Sequence, residues 1–161
     1  MNRLDQLTLL TMDFFRGDAR RIQHLTKVHA YAALIGRMEA LDDATQAILE
    51  AAAVVHDVGI KPAEAQYGSC GGKLQEELGP AEARTLLTAA GYTPGETERV
   101  AWLVGHHHTY DPIEGMDHQI LVEADFLVNL HEDGSSPEAI QRTRDTIFRT
   151  ESGKRLLDAM F

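Results

Sequence analysis

The segment from residue 44 to residue 59 reads ATQAILEAAAVVHDVG, and the prediction of the fold starts from it. Its apolar residues recur at intervals of three and four, which predicts a helix over Ala44–Val55. Alanine is unusually frequent there, and small side chains let neighbouring helices approach closely. We therefore expect this helix to be central and to end at His56-Asp57, which places two polar residues at the end of an apolar segment.

The same helical periodicity extends through most of the chain, with almost no alternation of the kind that strands show. We predict an all-α helical bundle that forms a single domain over residues 1–161, with the C-terminal helices of 137–160 packed onto the rest. Capping residues and glycines set the expected boundaries. The predicted helices run from Asn2 to Gly17 and over 18–40, 44–55, 73–90 (interrupted or restarted at Gly79-Pro80), 94–108, 118–131, 137–150 and 153–160, with a helical turn at Pro62 and a loop over 67–72.

The composition excludes some classes of binding partner and indicates a cellular compartment. The formal net charge is −10, which repels polyphosphate backbones, so we expect no nucleic-acid partner. The apolar stretches are too short to cross a bilayer, and the single cysteine, Cys70, excludes an internal disulfide framework and a multi-cysteine zinc site. These features predict a cytoplasmic protein with no membrane partner. The apolar stripe on the first helix could pack against a second copy of the chain in a homodimer as well as against the core.

Three segments place histidine or aspartate on predicted inward faces. His56-Asp57 follows an apolar run, Asp125 lies on an apolar helical stripe, and His24 lies on the inner face of the second helix. A buried carboxylate is costly unless it is paired or bound to a metal. Two imidazoles and two carboxylates together favour Fe, Mn, Co, Ni or Zn over Ca. Glu123, in contrast, falls on a different face from Asp125 and is expected to be solvated.

Each of these residues also has an ordinary structural interpretation. His56 could be a C-cap residue that the helix dipole favours, and His24 could be a hydrogen-bonded core histidine. Asp125 could form a buried ion pair with Arg99 or Arg21. The combination of residues on separate helices is what favours a metal site.

In this order, the motifs resemble those of the HD-domain metal-dependent phosphohydrolase superfamily. Its signature is a histidine, then His-Asp, then a distant aspartate, and His24, His56-Asp57 and Asp125 match it; the resemblance covers about residues 18–131. It implies an all-α bundle in which these four residues hold one tight divalent transition-metal ion at the centre. It also implies hydrolysis of a nucleotide or another phosphate ester.

Some members of the superfamily hold a second metal with additional histidines. Gln75 stands where one of these would fall, which argues against a standard second site. A second ion could still bind through Glu76, His106 and His107. The alternative is a solvated acidic face for the glutamate and a polar helix end for the histidines.

Cationic and histidine side chains near the signature residues are the expected substrate contacts. They could bind phosphate oxygens, although a surface charge is the alternative for at least one of them. His107 or His108 could protonate the leaving oxygen. The expected catalytic residues are Asp57, Lys61 and His107, and the expected substrate-binding residues are Lys61, Arg21, Lys27 and His108.

These features together predict a metal-dependent phosphohydrolase. It would cleave a phosphomonoester or phosphoanhydride by attack of metal-bound hydroxide, with a small-molecule phosphate ester or nucleotide as its partner. One alternative is a non-catalytic module that binds metal and nucleotide without turnover. Another is a di-iron oxygenase, which would need two irons.

Overall fold

The computed structural model describes all 161 residues, which form nine α-helices and no β-strand. The predicted all-α class is therefore confirmed. None of the helices combines the length and the apolar character that a bilayer-spanning segment requires. In chain order the helices are α1 (Arg3–Phe14), α2 (Ala19–Met38), α3 (Asp43–Val55), α4 (Ile60–Tyr67), α5 (Gly72–Ala89), α6 (Pro94–Val104), α7 (Met116–Glu132), α8 (Pro137–Thr146) and α9 (Glu151–Met160).

Helix α3 lies at the centre of the bundle, as its alanine content predicts. It contacts α1, α2, α6 and α7, and residues 51–55 are all buried. Small residues allow this crowding because their backbones can approach closely. At Gly36 of α2, for example, an added Cβ would lie only 3.0 Å from a methyl carbon of Leu49 in α3. The end of α3 consequently lies deep in the protein, where α2 and α7 flank it.

The predicted N-caps account for where several helices begin. The side chains of these capping residues accept hydrogen bonds from backbone N–H groups in the first turn of each helix, which satisfies donors that have no intrahelical partner. Helices α1 and α6 carry full capping boxes, in which an acidic residue bonds back to the cap. The capping residues are Asn2, Asp18, Asp42, Thr93 and Ser136.

Helices α5 and α6, which precede His106–His108, differ from the prediction. Helix α5 runs without interruption through Pro80, and α6 ends at Val104 instead of continuing to residue 108. The ring nitrogens Nδ1 of His106 and His107 bond to the carbonyls of Trp102 and Val104, each at 2.7 Å. These imidazoles thus satisfy carbonyls at the end of α6, and the histidines lie in the turn that follows it.

Glu123 was expected to be solvated, and this prediction was wrong. The side chain is fully buried, and its two oxygens accept hydrogen bonds from the Thr150 N–H and hydroxyl, the Arg149 N–H and the Gln119 amide, at 2.6–3.1 Å. Because Arg149 and Thr150 donate to Glu123, α8 ends at Thr146 instead of continuing to 150. The start of α9 covers this face of α7, so periodicity within α7 could not reveal its burial.

Candidate metal centre

The structure brings His24, His56, Asp57 and Asp125 together at the end of α3. Nε2 of His24 lies 3.1 Å from Oδ2 of Asp57 and 3.2 Å from Oδ1 of Asp125. Nε2 of His56 lies 3.4 Å from each of the same two oxygens and 3.2 Å from Nε2 of His24. Two imidazole nitrogens and two carboxylate oxygens therefore converge on one point.

A turn directly after α3 aims the adjacent residues His56 and Asp57 at the same point. His56 keeps helical dihedral angles as the C-cap, and residues 56–59 form the turn. Helix α5 closes over this turn so tightly that a Cβ on Gly59 would lie 2.5 Å from the carbonyl oxygen of Gln75. Only glycine fits there, and the close packing holds the His-Asp pair in place.

Hydrogen bonds at Nδ1 determine that Nε2 of His24 and of His56 faces the cluster without a proton. Nδ1 of His56 bonds to the carbonyl of Ala53 at 2.7 Å, and Nδ1 of His24 lies 3.2 Å from a carboxylate oxygen of Glu132. These oxygens act as acceptors, so Nδ1 carries the proton in both neutral rings. Nε2 of each ring then turns its lone pair towards Asp57 and Asp125.

Lone pairs that face one another at these distances require a positive charge between them. Around an ion with ligand distances of about 2.1 Å, neighbouring ligand atoms are roughly 3.0–3.4 Å apart, which matches the separations in this cluster. One ligand atom each of His24, His56 and Asp57 lies within 4.8 Å of the others, as a bound ion would need. The N/O donor set suits a divalent transition metal. The residues therefore fit the ion that the sequence predicts.

Protonation is the other way in which the cluster can acquire positive charge. Burial lowers the pKa of His24, but hydrogen bonds to Asp125 and Asp57 outweigh it and raise this pKa to about 9. Burial opposes ionisation of Asp57 and Asp125 as well, yet the charge of His56 and the hydrogen bonds from the histidines hold both pKa values below the usual range. The carboxylates are thus prepared to bind a cation.

His107 approaches Asp57 from the side opposite His24. Its ring is 1% exposed, and Nε2 lies 3.5 Å from Oδ1 of Asp57 without a hydrogen-bond partner. Because Nδ1 donates to the carbonyl of Val104, Nε2 again carries the lone pair. Asp57 therefore directs one oxygen to His24 and His56 and the other to His107.

A chain of hydrogen bonds defines the state of His108. The amide nitrogen of Gln75 donates to the carbonyl of Cys70 at 2.7 Å. The amide oxygen of Gln75 therefore faces Nε2 of His108, at 3.0 Å. That nitrogen must carry a proton, which leaves Nδ1 as the acceptor for the Tyr110 hydroxyl at 3.4 Å. Burial lowers the pKa of His108 to about 4. His108 presents a donor, and not a metal ligand, at Nε2.

Two residues expected at a second metal site lie elsewhere. The Glu76 carboxylate accepts from the His108 N–H and the Thr109 hydroxyl, and the His106 ring stacks on Trp102 with centroids 3.9 Å apart. Three consecutive histidines cannot all face inward, and His106 is the one that turns away. A second group of histidine and aspartate side chains, Asp57, His107 and His108, has one ligand atom each within 4.8 Å of the others, but the proton on Nε2 of His108 keeps that nitrogen from binding an ion.

The predicted cationic contacts differ in their positions. Lys61 points away from the centre, since its ammonium donates to the carbonyl of Phe14 at 2.6 Å and lies over that ring. Arg21 reaches the opening of the site but is ion-paired with Asp18 and Glu64. Lys27 lies beside the site, 3.9 Å from Glu132.

An open cleft of about 400 Å³ leads from the surface to the cluster. Sequence reasoning missed part of its wall. Asn129, Glu132 and Asp133 follow Asp125 at the spacing of one helix face, so the position of Asp125 was the signal that could have revealed them. The residues that line the cleft are Asp18, Arg20, Arg21, His24, Asp57, Ile60, Gln75, His108, Asp125, Asn129, Glu132 and Asp133.

Comparison with known proteins identifies the family of this chain. No curated protein matches the chain significantly. A crystal structure from an uncultured Thermotogales bacterium, described as that of a predicted HD superfamily hydrolase, matches with a TM-score of 0.70 and 24% identity over 98% of this chain and 84% of the other, which shows a shared fold. The HD domain model matches residues 21–145, a range that contains all four converging residues. The chain belongs to the HD domain family.

Proposed function

We propose that this protein is a metal-dependent phosphohydrolase that cleaves a phosphate ester bond. The observation that supports this most directly is the convergence of two histidine lone pairs and two carboxylates at the floor of an open polar cleft. The residues that would hold the ion are His24, His56, Asp57 and Asp125. When bound, a divalent ion supplies positive charge to a phosphoryl oxygen and lowers the pKa of a coordinated water.

Residues of the chain would complete the reaction around that ion. His107 offers an unprotonated Nε2 beside Asp57, where it can accept a proton during attack on phosphorus. His108 offers Nε2–H as a donor to substrate oxygens. At the opening of the cleft, Arg21 is held by Asp18 and Glu64 in a position to bind phosphate.

Several parts of this assignment are open to experiment. The expected ion is Fe, Mn, Co, Ni or Zn, because the donors are mixed nitrogen and oxygen atoms. The expectation of a nucleotide substrate rests on the family resemblance alone. Lys27 is retained as a candidate contact for larger substrates because it lies next to Glu132 at the edge of the cleft.

Metal content and phosphate release test the proposal together. The protein is purified without chelator, loaded with each candidate ion and analysed by mass spectrometry, together with Asp57→Asn and the exposed control Asp145→Asn. We expect about one ion per chain in the wild type and the control and much less in Asp57→Asn, with phosphate release lost in parallel. Circular dichroism shows whether each variant is folded. Failure of the folded wild type to take up any ion would overturn the proposal.

The alternatives give different results in the same experiment. A module that binds metal and nucleotide without turnover would take up the ion and bind nucleotide but release no phosphate with any ion. A di-iron oxygenase would bind two irons and show a visible absorption band that changes with oxygen. Phosphate release that depends on both the ion and Asp57 is the result that supports a phosphohydrolase.

A further inference from the structure

The wall of the cleft lacks the surfaces that hold nucleobases. Aromatic and apolar side chains usually bind a base by stacking on its face. Of the twelve residues that line this cleft, only Ile60 is hydrophobic, and none is Phe, Tyr or Trp; the only rings are the imidazoles of His24 and His108. Tyr110 is not among them; its hydroxyl lies near His108 while its ring packs on Phe126. A base that entered this cleft would meet mainly charged and amide groups, and its only ring contacts would be two imidazoles that the site already uses.

The charge of the cleft also limits how many phosphates it can accept. Five carboxylates line it against two guanidinium groups, and with neutral histidines one divalent ion reduces this excess of three negative charges to one. Arg20 makes no ion pair, whereas Arg21 is already paired with Asp18 and Glu64. One phosphate could bind between the ion and the two arginines at the opening, but further phosphates would face Glu132 and Asp133.

The remaining groups of the wall are mainly hydrogen-bond acceptors. Asp133 is exposed at the C-cap of α7, and Glu132, whose carboxylate lies against Nδ1 of His24, also lines the cleft. Carboxylates accept hydrogen bonds and attract cations, so they favour hydroxyl and ammonium groups. The volume of about 400 Å³ is enough for a compact phosphorylated molecule.

From this lining we infer that the substrate is a small phosphomonoester whose organic part carries hydroxyl or amino groups, and that nucleotides are disfavoured. The inference rests on the proposed phosphohydrolase function and specifies its substrate class. It concerns the cleft outside the four converging residues, so it can fail while the proposed function stands.

A matched set of phosphate compounds tests the inference with the wild-type protein and the ion that supports phosphate release. Ribose 5-phosphate and adenosine 5′-monophosphate differ by the base, and adenosine triphosphate adds two phosphates; phosphoethanolamine supplies an amino group. We expect kcat/KM for ribose 5-phosphate or phosphoethanolamine to exceed that for either nucleotide by about tenfold or more. Asp133→Asn should raise kcat/KM for the triphosphate relative to ribose 5-phosphate by about threefold.

The outcomes separate the two proposals. Asp43→Asn, an exposed change outside the cleft, should leave the ratio of nucleotide to sugar phosphate hydrolysis unchanged. Nucleotide hydrolysis as fast as that of the smaller compounds would overturn this inference and leave the phosphohydrolase function standing. Absence of phosphate release from all four compounds in the ion-loaded protein would overturn both.

Discussion

Nε2 of His107 lies 3.5 Å from Oδ1 of Asp57, is buried, and has no hydrogen-bond partner. An unsatisfied buried nitrogen costs free energy, typically about 1–3 kcal/mol, so it usually has a purpose other than stability. The other ring nitrogen is tied to the carbonyl of Val104, which prevents His107 from turning away. The arrangement keeps a lone pair directed at the candidate metal centre from the side opposite His24.

Replacing His107 by alanine should therefore reduce turnover more than metal binding. His107→Ala removes the imidazole that lies 3.5 Å from Oδ1 of Asp57 but leaves His24, His56 and Asp125 in place. We expect kcat to fall by about 10²-fold or more while ion content by mass spectrometry remains near that of the wild type. His131→Ala, an exposed change in α7, is the control and should change neither. Equal loss of ion and activity would instead make His107 a metal ligand.

Gln75 should keep the site from binding a second ion. Its oxygen accepts the Nε2 proton of His108, so that nitrogen has no lone pair for a metal. In Gln75→Leu, the proton can move to Nδ1, and Asp57, His107 and His108 then provide three ligand atoms. We expect ion content measured at saturating Mn²⁺ to rise from about one to about two per chain. An unchanged ratio in the folded variant would contradict this role of Gln75.

Lys61 should contribute little to activity, contrary to the expectation from its position after Asp57. Its ammonium bonds to the carbonyl of Phe14 and lies over that ring, and Lys61 is not among the residues that line the cleft. We expect Lys61→Ala to leave kcat/KM within about twofold of the wild type and to lower the free energy of unfolding by about 1 kcal/mol. Arg21→Ala, which removes a cation that lines the cleft, should raise KM by about tenfold. A large loss of turnover in Lys61→Ala would contradict this placement.

Glu123 should be important for stability and not for catalysis. Its carboxyl group satisfies two donors of Thr150 and one each of Arg149 and Gln119. In Glu123→Ala the N–H and hydroxyl of the buried Thr150 would lose their acceptor, while the Gln119 amide would keep its bond to the carbonyl of Ile147. We expect the free energy of unfolding, measured in urea, to fall by about 3 kcal/mol or more. Glu138→Ala, at an exposed position of α8, should change it by about 0.5 kcal/mol or less. A similar small change in both variants would contradict the structural role of Glu123.

The helices could be predicted from the sequence because their signals are local. Capping residues such as Asp18 and Thr93 act within one turn, and the apolar stripe of α3 indicates its burial without knowledge of its neighbours. Where a predicted helix end was wrong, a contact with a residue distant in the sequence determined where the helix ends. Helix α8, for example, ends early because Glu123 takes the backbone donors of Arg149 and Thr150.

By itself, the sequence determined the all-helical class and placed His24 and Asp125 on apolar helix faces, because helical period shows which side chains share a face. The apolar run before His56-Asp57 indicated that this pair lies at a buried helix end. The tertiary structure alone decided the surroundings of that cluster. The tautomer of His108 and the direction of the Lys61 side chain depend on Gln75 and Phe14, which are far away in the chain, and the lone pair of His107 is placed beside Asp57 only by the packing of the helices. Ring tautomers and covered helix faces are set by such partners, and no spacing along the chain specifies them.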